Sequence, residues 1–150
     1  MEIDLEKIRK FFKADKFAAN AGVIIEEVSE DRVKCSLEIT PEHFNVGGMV
    51  QGGAIFTLAD FTFAVHSNLK KICGEDVGLT VAQSCAISFL KSARGKKLES
   101  VSTCLSRGRN ISVYRIFVSD DLGSPIAEMH GNGFTVAKGQ SLSNRSQKSD

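Results

Sequence analysis

The apolar positions of this chain change period several times, and each change marks an element. Residues 4–19 carry Leu5, Ile8, Phe11, Phe12 and Phe17 at mostly helical spacing, with Asp4 as an N-cap. Gly22 stops this predicted helix. Val23 to Val28 reads as a short strand and Ser29-Glu30-Asp31 as a turn. From Arg32 to Thr40 the alternation is strict: Val33, Cys35, Leu37 and Ile39 face one way and Lys34, Ser36 and Glu38 the other, as in a half-buried strand. A glycine-rich loop, 41–53, leads into a segment apolar on almost every side that runs to about Asn68. A helix of that kind belongs in the middle of a core. Four more strands are predicted over roughly 77–91, 97–107, 111–120 and 125–136, divided by Ala93-Arg94-Gly95, Gly108-Arg109-Asn110 and Asp120 to Gly123. The order predicts an α+β fold in which a curved, mostly antiparallel sheet wraps one apolar helix and the last four strands form a meander. Residues 1–137 form one domain on this reading, and 138–150 are too polar to pack and read as a disordered tail.

Composition narrows the function without naming it. The 150 residues hold 19 basic and 18 acidic side chains, so no general nucleic-acid or membrane surface is expected. Cys35, Cys73, Cys85 and Cys104 lie far apart without metal-ligand spacing, and no metal is expected. Without a leader pattern they read as reduced core thiols of a cytoplasmic protein. No apolar run reaches the roughly 18 residues of a membrane span.

One residue breaks the pattern. Asp60 is the only formally charged side chain between Glu42 and Lys70, and it sits inside the apolar helix. A carboxylate there loses hydration and needs a strong partner, or its pKa moves toward the neutral form. The glycines that precede the helix often serve only a tight turn, and no Gly-Lys-Ser/Thr follows to make a phosphate loop. Paired with Asp60 they gain meaning. Backbone amides at a helix start are unsatisfied donors at a positive dipole end, suited to a carbonyl oxygen that gains charge. Gly52 and Asp60 are eight residues apart, about 12 Å along a helix, too far to meet at one carbon within a subunit. A two-fold dimer would close that gap.

The run from His43 and Asn45 through Gly48, Gln51-Gly52-Gly53, Ile55-Phe56, Leu58-Ala59-Asp60 and Phe63-Ala64 to Asn68 resembles the hotdog-fold acyl-CoA thioesterases of the phenylacetic-acid-degradation type. The resemblance extends to 84–90, to Gly108-Arg109 and to Val113-Tyr114, and covers about residues 20–137. It implies the hotdog fold, a homodimer paired into a homotetramer, and hydrolysis of acyl-CoA thioesters, coenzyme A being part of the substrate and no separate cofactor being needed. By the same resemblance Asp60 is the catalytic carboxylate, as general base on water or as nucleophile. Gly52 supplies the N–H that polarises the carbonyl, and Asn45 orients water or thioester. Gln51 stands where many members have His; it can donate a hydrogen bond but cannot titrate, and is kept as a positioning residue. Gly53 is counted with the substrate-binding positions. A Ser or Thr on the strand after the helix often assists, yet the matching position is Ala82, with Thr80 or Ser84 as stand-ins.

Lys91, Arg94, Arg107 and Arg109 cluster near predicted strand ends, where they could meet the phosphates of coenzyme A or serve as solvated turn residues. His43 reads as a surface-loop residue, His66 as a helix-end residue facing the dipole, and His130 as a sheet residue. Two other functions use the same fold: a non-catalytic acyl-CoA binder, and a hydratase or dehydratase. The hydratase pattern of Asp, Asn-Pro and a His five residues after the Asp is absent, since His66 lies six positions past Asp60 on another side of the helix.

Overall fold

In the computed structural model, which describes residues 1–140, six strands form one antiparallel sheet around a central helix. The helices are α1 (Leu5–Phe12), α2 (Lys16–Ala21), α3 (Gly52–Ser67) and α4 (Leu69–Ile72). The strands are β1 (Val23–Val28), β2 (Arg32–Glu38), β3 (Thr80–Phe89), β4 (Lys97–Arg107), β5 (Ile111–Asp120) and β6 (Pro125–Thr135). This is the hotdog arrangement expected: α3 packs against all six strands.

Two expectations are corrected. The N-terminal helix is broken in two, because Asp15 leaves the helical conformation and its Oδ1 accepts from Ala18 N at 3.0 Å, capping a second short helix. A local cap there outcompetes continuation of the helix. Gly22 ends α2 in the left-handed region at φ 93°. The four-strand meander is also wrong. The sheet order is β1-β2-β4-β5-β6-β3, so only β4, β5 and β6 meander. After β2 the chain crosses the concave face as α3 and β3 joins the far edge beside β6, with Ile87 opposite Met129 and Cys85 opposite Gly131.

Inward residues of β2, β4, β5 and β6 meet α3 in a core that includes Leu37, Leu98, Ile116, Val118 and Met129, all fully buried. Phe63 of α3 lies flat enough on the sheet that β6 has glycine beneath it at 131 and 133. Its ring meets Tyr114 edge-on, with centroids 5.4 Å apart. All four cysteines are free thiols; Cys35 is fully buried, and burial pushes its pKa up to about 12. Residues 138–140, read as the start of the tail, form a turn tied down by an ion pair between Lys138 and Asp76. Residues 141–150 of that predicted tail lie outside the described residues.

Candidate functional site

The loop before α3 is held by its own side chains. Asn45 Oδ1 accepts from Gly47 N at 2.9 Å and Met49 N at 3.1 Å, and Asn45 N donates to Met49 O at 2.7 Å. Gly48 makes the turn at φ 76°, a conformation that disfavours other residues. His43 is buried rather than a surface-loop residue, and it clamps the loop to the helices before it. Its Nδ1 accepts from Thr40 N at 3.0 Å, while its Nε2 lies 2.6 Å from Ala21 O, which fixes the neutral tautomer with the proton on Nε2. Gln51 N donates to His43 O at 2.8 Å, so the start of α3 inherits this clamp.

Gly52 is the first residue of α3 and Gln51 its N-cap, without a side-chain capping bond. Among the described residues no acceptor meets Gly52 N–H, and the Phe89 ring lies across the glycine, 3.1 Å from where a Cβ would stand. Gln51 is exposed and turns Oε1 over Gly53. A cleft of about 380 Å³ brings Asn45 and Gly52 together with Lys91, lined also by Met49, Val50, Ile55, Phe89, Leu90 and Ser92.

Asp60 lies two turns along α3 and is half-buried. No hydrogen bond or ion pair satisfies its carboxylate among the described residues. Burial pushes its pKa above the ordinary carboxylate value, and the charge of Asp15 pushes it further. On the sheet side its charge reaches Cys85 of β3, whose thiol is raised chiefly by burial and then by Asp60. Burial of Asp60 is incomplete because β3 is itself the open edge of the sheet, with Ala82 and Phe89 exposed even though they lie on the inward side.

The remaining candidates divide. Thr80 is committed to holding the end of α3: Thr80 N donates to Asn68 Oδ1 at 2.8 Å, Asn68 Nδ2 donates to Thr80 O at 3.0 Å, and the Thr80 and Thr135 hydroxyls are 2.8 Å apart. Ala82 faces inward opposite Gly133, and a bulge follows it. Ser84 pairs with Asn132, whose Nδ2 donates to the Ser84 hydroxyl at 2.9 Å, on the sheet face away from α3. The four basic residues do not cluster within one protomer, because β3 and β4 carry them to opposite ends of α3. Lys91 lies by Gly52, with Arg94 exposed three residues on. Arg107 and Arg109 line a cleft of about 150 Å³ at the C-terminal end of α3 with Thr80, Lys70 and Lys71.

His66 lies in the last turn of α3, as expected of a helix-end residue, and is fully buried there. Its Nδ1 is 2.9 Å from the Ser102 hydroxyl and its Nε2 is 3.0 Å from Glu30 O. Burial holds its pKa below the ordinary histidine value. Sequence reasoning missed both histidine clamps, since each closes on a carbonyl more than 20 residues away.

Against known families, residues 47–126 match the thioesterase superfamily, a span holding Gly52, Asp60 and all of β3. The chain belongs to the thioesterase superfamily. A curated relative from Deinococcus radiodurans, provisionally named an esterase, is 36% identical over 107 residues, 71% of this chain and 68% of its own. The acyl-coenzyme A thioesterase PaaI of Escherichia coli is 24% identical over 126 residues, 83% of this chain and 86% of its own. The solved PaaI structure superposes with a TM-score of 0.77 at 22% identity, covering 89% of this chain and 93% of that one. A Streptococcus mutans protein solved bound to acetyl-CoA has a TM-score of 0.70 at 22% identity, covering 79% of this chain and 92% of that one. The thioesterase described here is thus a PaaI-like hotdog enzyme that hydrolyses thioesters, and among its described residues no helix is long and apolar enough to cross a membrane.

Proposed function

We propose that this thioesterase hydrolyses an acyl- or aryl-CoA thioester to the free acid and coenzyme A at sites shared between two protomers. The observation that carries the reading is the half-buried, unpaired Asp60 carboxylate of α3, beside Cys85 of the open β3 edge. That edge strand, Thr80–Phe89, contains no charged residue and no proline, so it lacks the usual devices that prevent pairing. A second copy, joined antiparallel about a two-fold axis, would complete the sheet and cover Asp60. Gly52 lies over Phe89 near one end of β3, while Asp60 lies nearer Cys85 at its middle. A register centred near Ile87 would set Phe89 of one strand opposite Cys85 of the other, and so bring one protomer's Gly52 toward its partner's carboxylate.

In this mechanism the thioester oxygen accepts from Gly52 N–H at the positive end of α3, which stabilises the oxyanion. Asp60 takes a proton from water as the hydroxide adds to the carbonyl carbon. The C–S bond then breaks, and coenzyme A leaves as thiolate, to which Asp60 returns the proton. Direct attack by the Asp60 carboxylate, followed by hydrolysis of the mixed anhydride, uses the same groups. Asn45 has its oxygen engaged in the loop and its Nδ2 available toward the cleft; Gln51 positions, its Oε1 lying over Gly53, which is kept among the substrate-binding positions. Lys91 and Arg94 at one end of α3, and Arg107 and Arg109 at the other, would meet the coenzyme A phosphates from different protomers. Acyl-CoA as substrate is supported by the PaaI relative and by the neighbour with acetyl-CoA bound. Exposed Phe117, Val81 and Phe134 on the outer sheet face support pairing of dimers into a tetramer.

The test is thiol release from phenylacyl-, hydroxybenzoyl- and medium-chain acyl-CoAs. At least one should be turned over, and Asp60→Asn should remove turnover while the oligomer stays intact. Binding of acyl-CoA with no turnover would favour a non-catalytic binder, and undiminished release by Asp60→Asn would remove the carboxylate from the mechanism.

A further inference from the structure

The start of α3 is weakly held by its own residues. Gln51 is its N-cap without a side-chain bond, and the first turn opens on two glycines, which have the most backbone freedom to lose. A side-chain cap would steady this turn, but it would occupy donors that a carbonyl needs. The hold comes instead from the backbone before the helix: Gln51 N donates to His43 O at 2.8 Å, and Phe44 bridges Val50 across the loop. His43 is thus the post on which Gly52 hangs, one residue removed. Its buried ring is anchored at both nitrogens, Nδ1 accepting from Thr40 N at 3.0 Å and Nε2–H donating to Ala21 O at 2.6 Å. Thr40 is a neighbour in the same turn. Ala21 is the last residue of α2, where a carbonyl has no partner within its own helix. That helix packs on α3 and buries Ala18 in the core, so the anchor is rigid. Both anchors lie before residue 47, where the family match begins.

We propose that His43 is a positioning residue for the hydrolysis, its bond to the end of α2 fixing the loop so that the Gly52 amide keeps its place at the cleft. This rests on Gly52 N–H being the donor to the thioester oxygen. Preorganised donors stabilise the oxyanion because they need not move as charge develops, and a donor on a loose turn loses that advantage. The route is continuous in the structure: Ala21 O to the His43 ring, His43 O to Gln51 N, and Gln51 to Gly52. The short helix α2 therefore serves the chemistry without touching substrate.

The experiment compares His43→Asn with His43→Gln on whichever acyl-CoA of the panel above is turned over fastest. Asn keeps an acceptor for Thr40 N but is too short to reach Ala21 O, whereas Gln carries an amide N–H out to the reach of Nε2. Oxyanion stabilisation acts in the transition state and little in substrate binding. His43→Asn should therefore lose roughly tenfold to a hundredfold in kcat with KM little changed, a part of what one oxyanion donor supplies. His43→Gln should recover most of that loss. The second readout is binding of two CoA analogues that resist hydrolysis: a thioether without a carbonyl, and a ketone with methylene in place of the thioester sulfur. Wild type should bind the ketone more tightly, and that preference should shrink in His43→Asn and return in His43→Gln. A general loosening of the fold would weaken both analogues alike. Wild-type kcat in His43→Asn, an equal loss in His43→Gln, or a loss with the ketone preference unchanged overturns the proposal. A wild-type protein with no preference for the ketone would instead overturn the role of Gly52 on which it rests, and the two failures are distinguishable.

Discussion

Gly131→Ala tests how α3 is seated, and its size can be worked from the structure. A Cβ at 131 would stand 3.0 Å from Phe63 Cδ2, 3.4 Å from Cε2 and 3.5 Å from Cγ. Carbon pairs pack best at about 3.5–4.0 Å, so the ring must retreat by several tenths of an ångström. It has little room, being 1% exposed and held edge-on by Tyr114. Overpacking of this kind costs about 1–3 kcal/mol. Replacing glycine in a strand returns about 0.5–1 kcal/mol through the unfolded chain. Overpacking wins, and the expected net loss is about 1–2 kcal/mol. The assay is urea denaturation at fixed protomer concentration, repeated in a Phe63→Leu background. The smaller side chain makes room for the methyl, so the penalty should shrink there, with a coupling energy of about 1 kcal/mol. If Gly131→Ala is as stable as wild type, or carries the same penalty in both backgrounds, the close approach of helix and sheet is not what glycine serves at this position.

Two predictions concern stability and pH. His66 has a pKa below the ordinary histidine value, so the unfolded chain binds a proton more readily than the folded one. Its contribution is therefore complete above about pH 6.5 and declines as pH falls below that; urea midpoints at pH 7 and 5.5 should differ by less in His66→Gln than in wild type. Asp120 is 2% exposed, and burial alone would raise its pKa. Donors from Arg94, Ser124, Gly95 and Leu122 N outweigh this and hold the carboxyl below its ordinary value. Its contribution is present above the ordinary aspartate range and lost as pH falls through the lower folded value. Asp120→Asn should cost about 1–3 kcal/mol at pH 7, and the gap to wild type should narrow in acid.

The local elements were legible because they rest on local physics. The strict alternation of Val33, Cys35 and Leu37 gave β2, and the all-round apolar character of 52–67 gave the buried helix with Asp60 as its anomaly. The glycine-rich approach to α3 was equally plain, as were the turns at 93–95, 108–110 and 120–123. Asp15 was visible as a residue but not as a cap, since Phe11, Phe12 and Phe17 could be read as one helix. Local pattern therefore sets which segments extend, which coil, and which single charge has no apolar reason to be where it is. Tertiary structure alone decided the rest. Periodicity describes one strand's two faces but not its neighbour, so β3 could be placed beside β6 only by the crossing of α3. The same crossing sent Lys91 and Arg107 to opposite ends of the helix and turned Ser84 away from it. His43 and His66 became buried clamps through carbonyls 22 and 36 residues distant, partners that no local pattern encodes because hydrogen bonds of that range exist only after the chain has closed on itself.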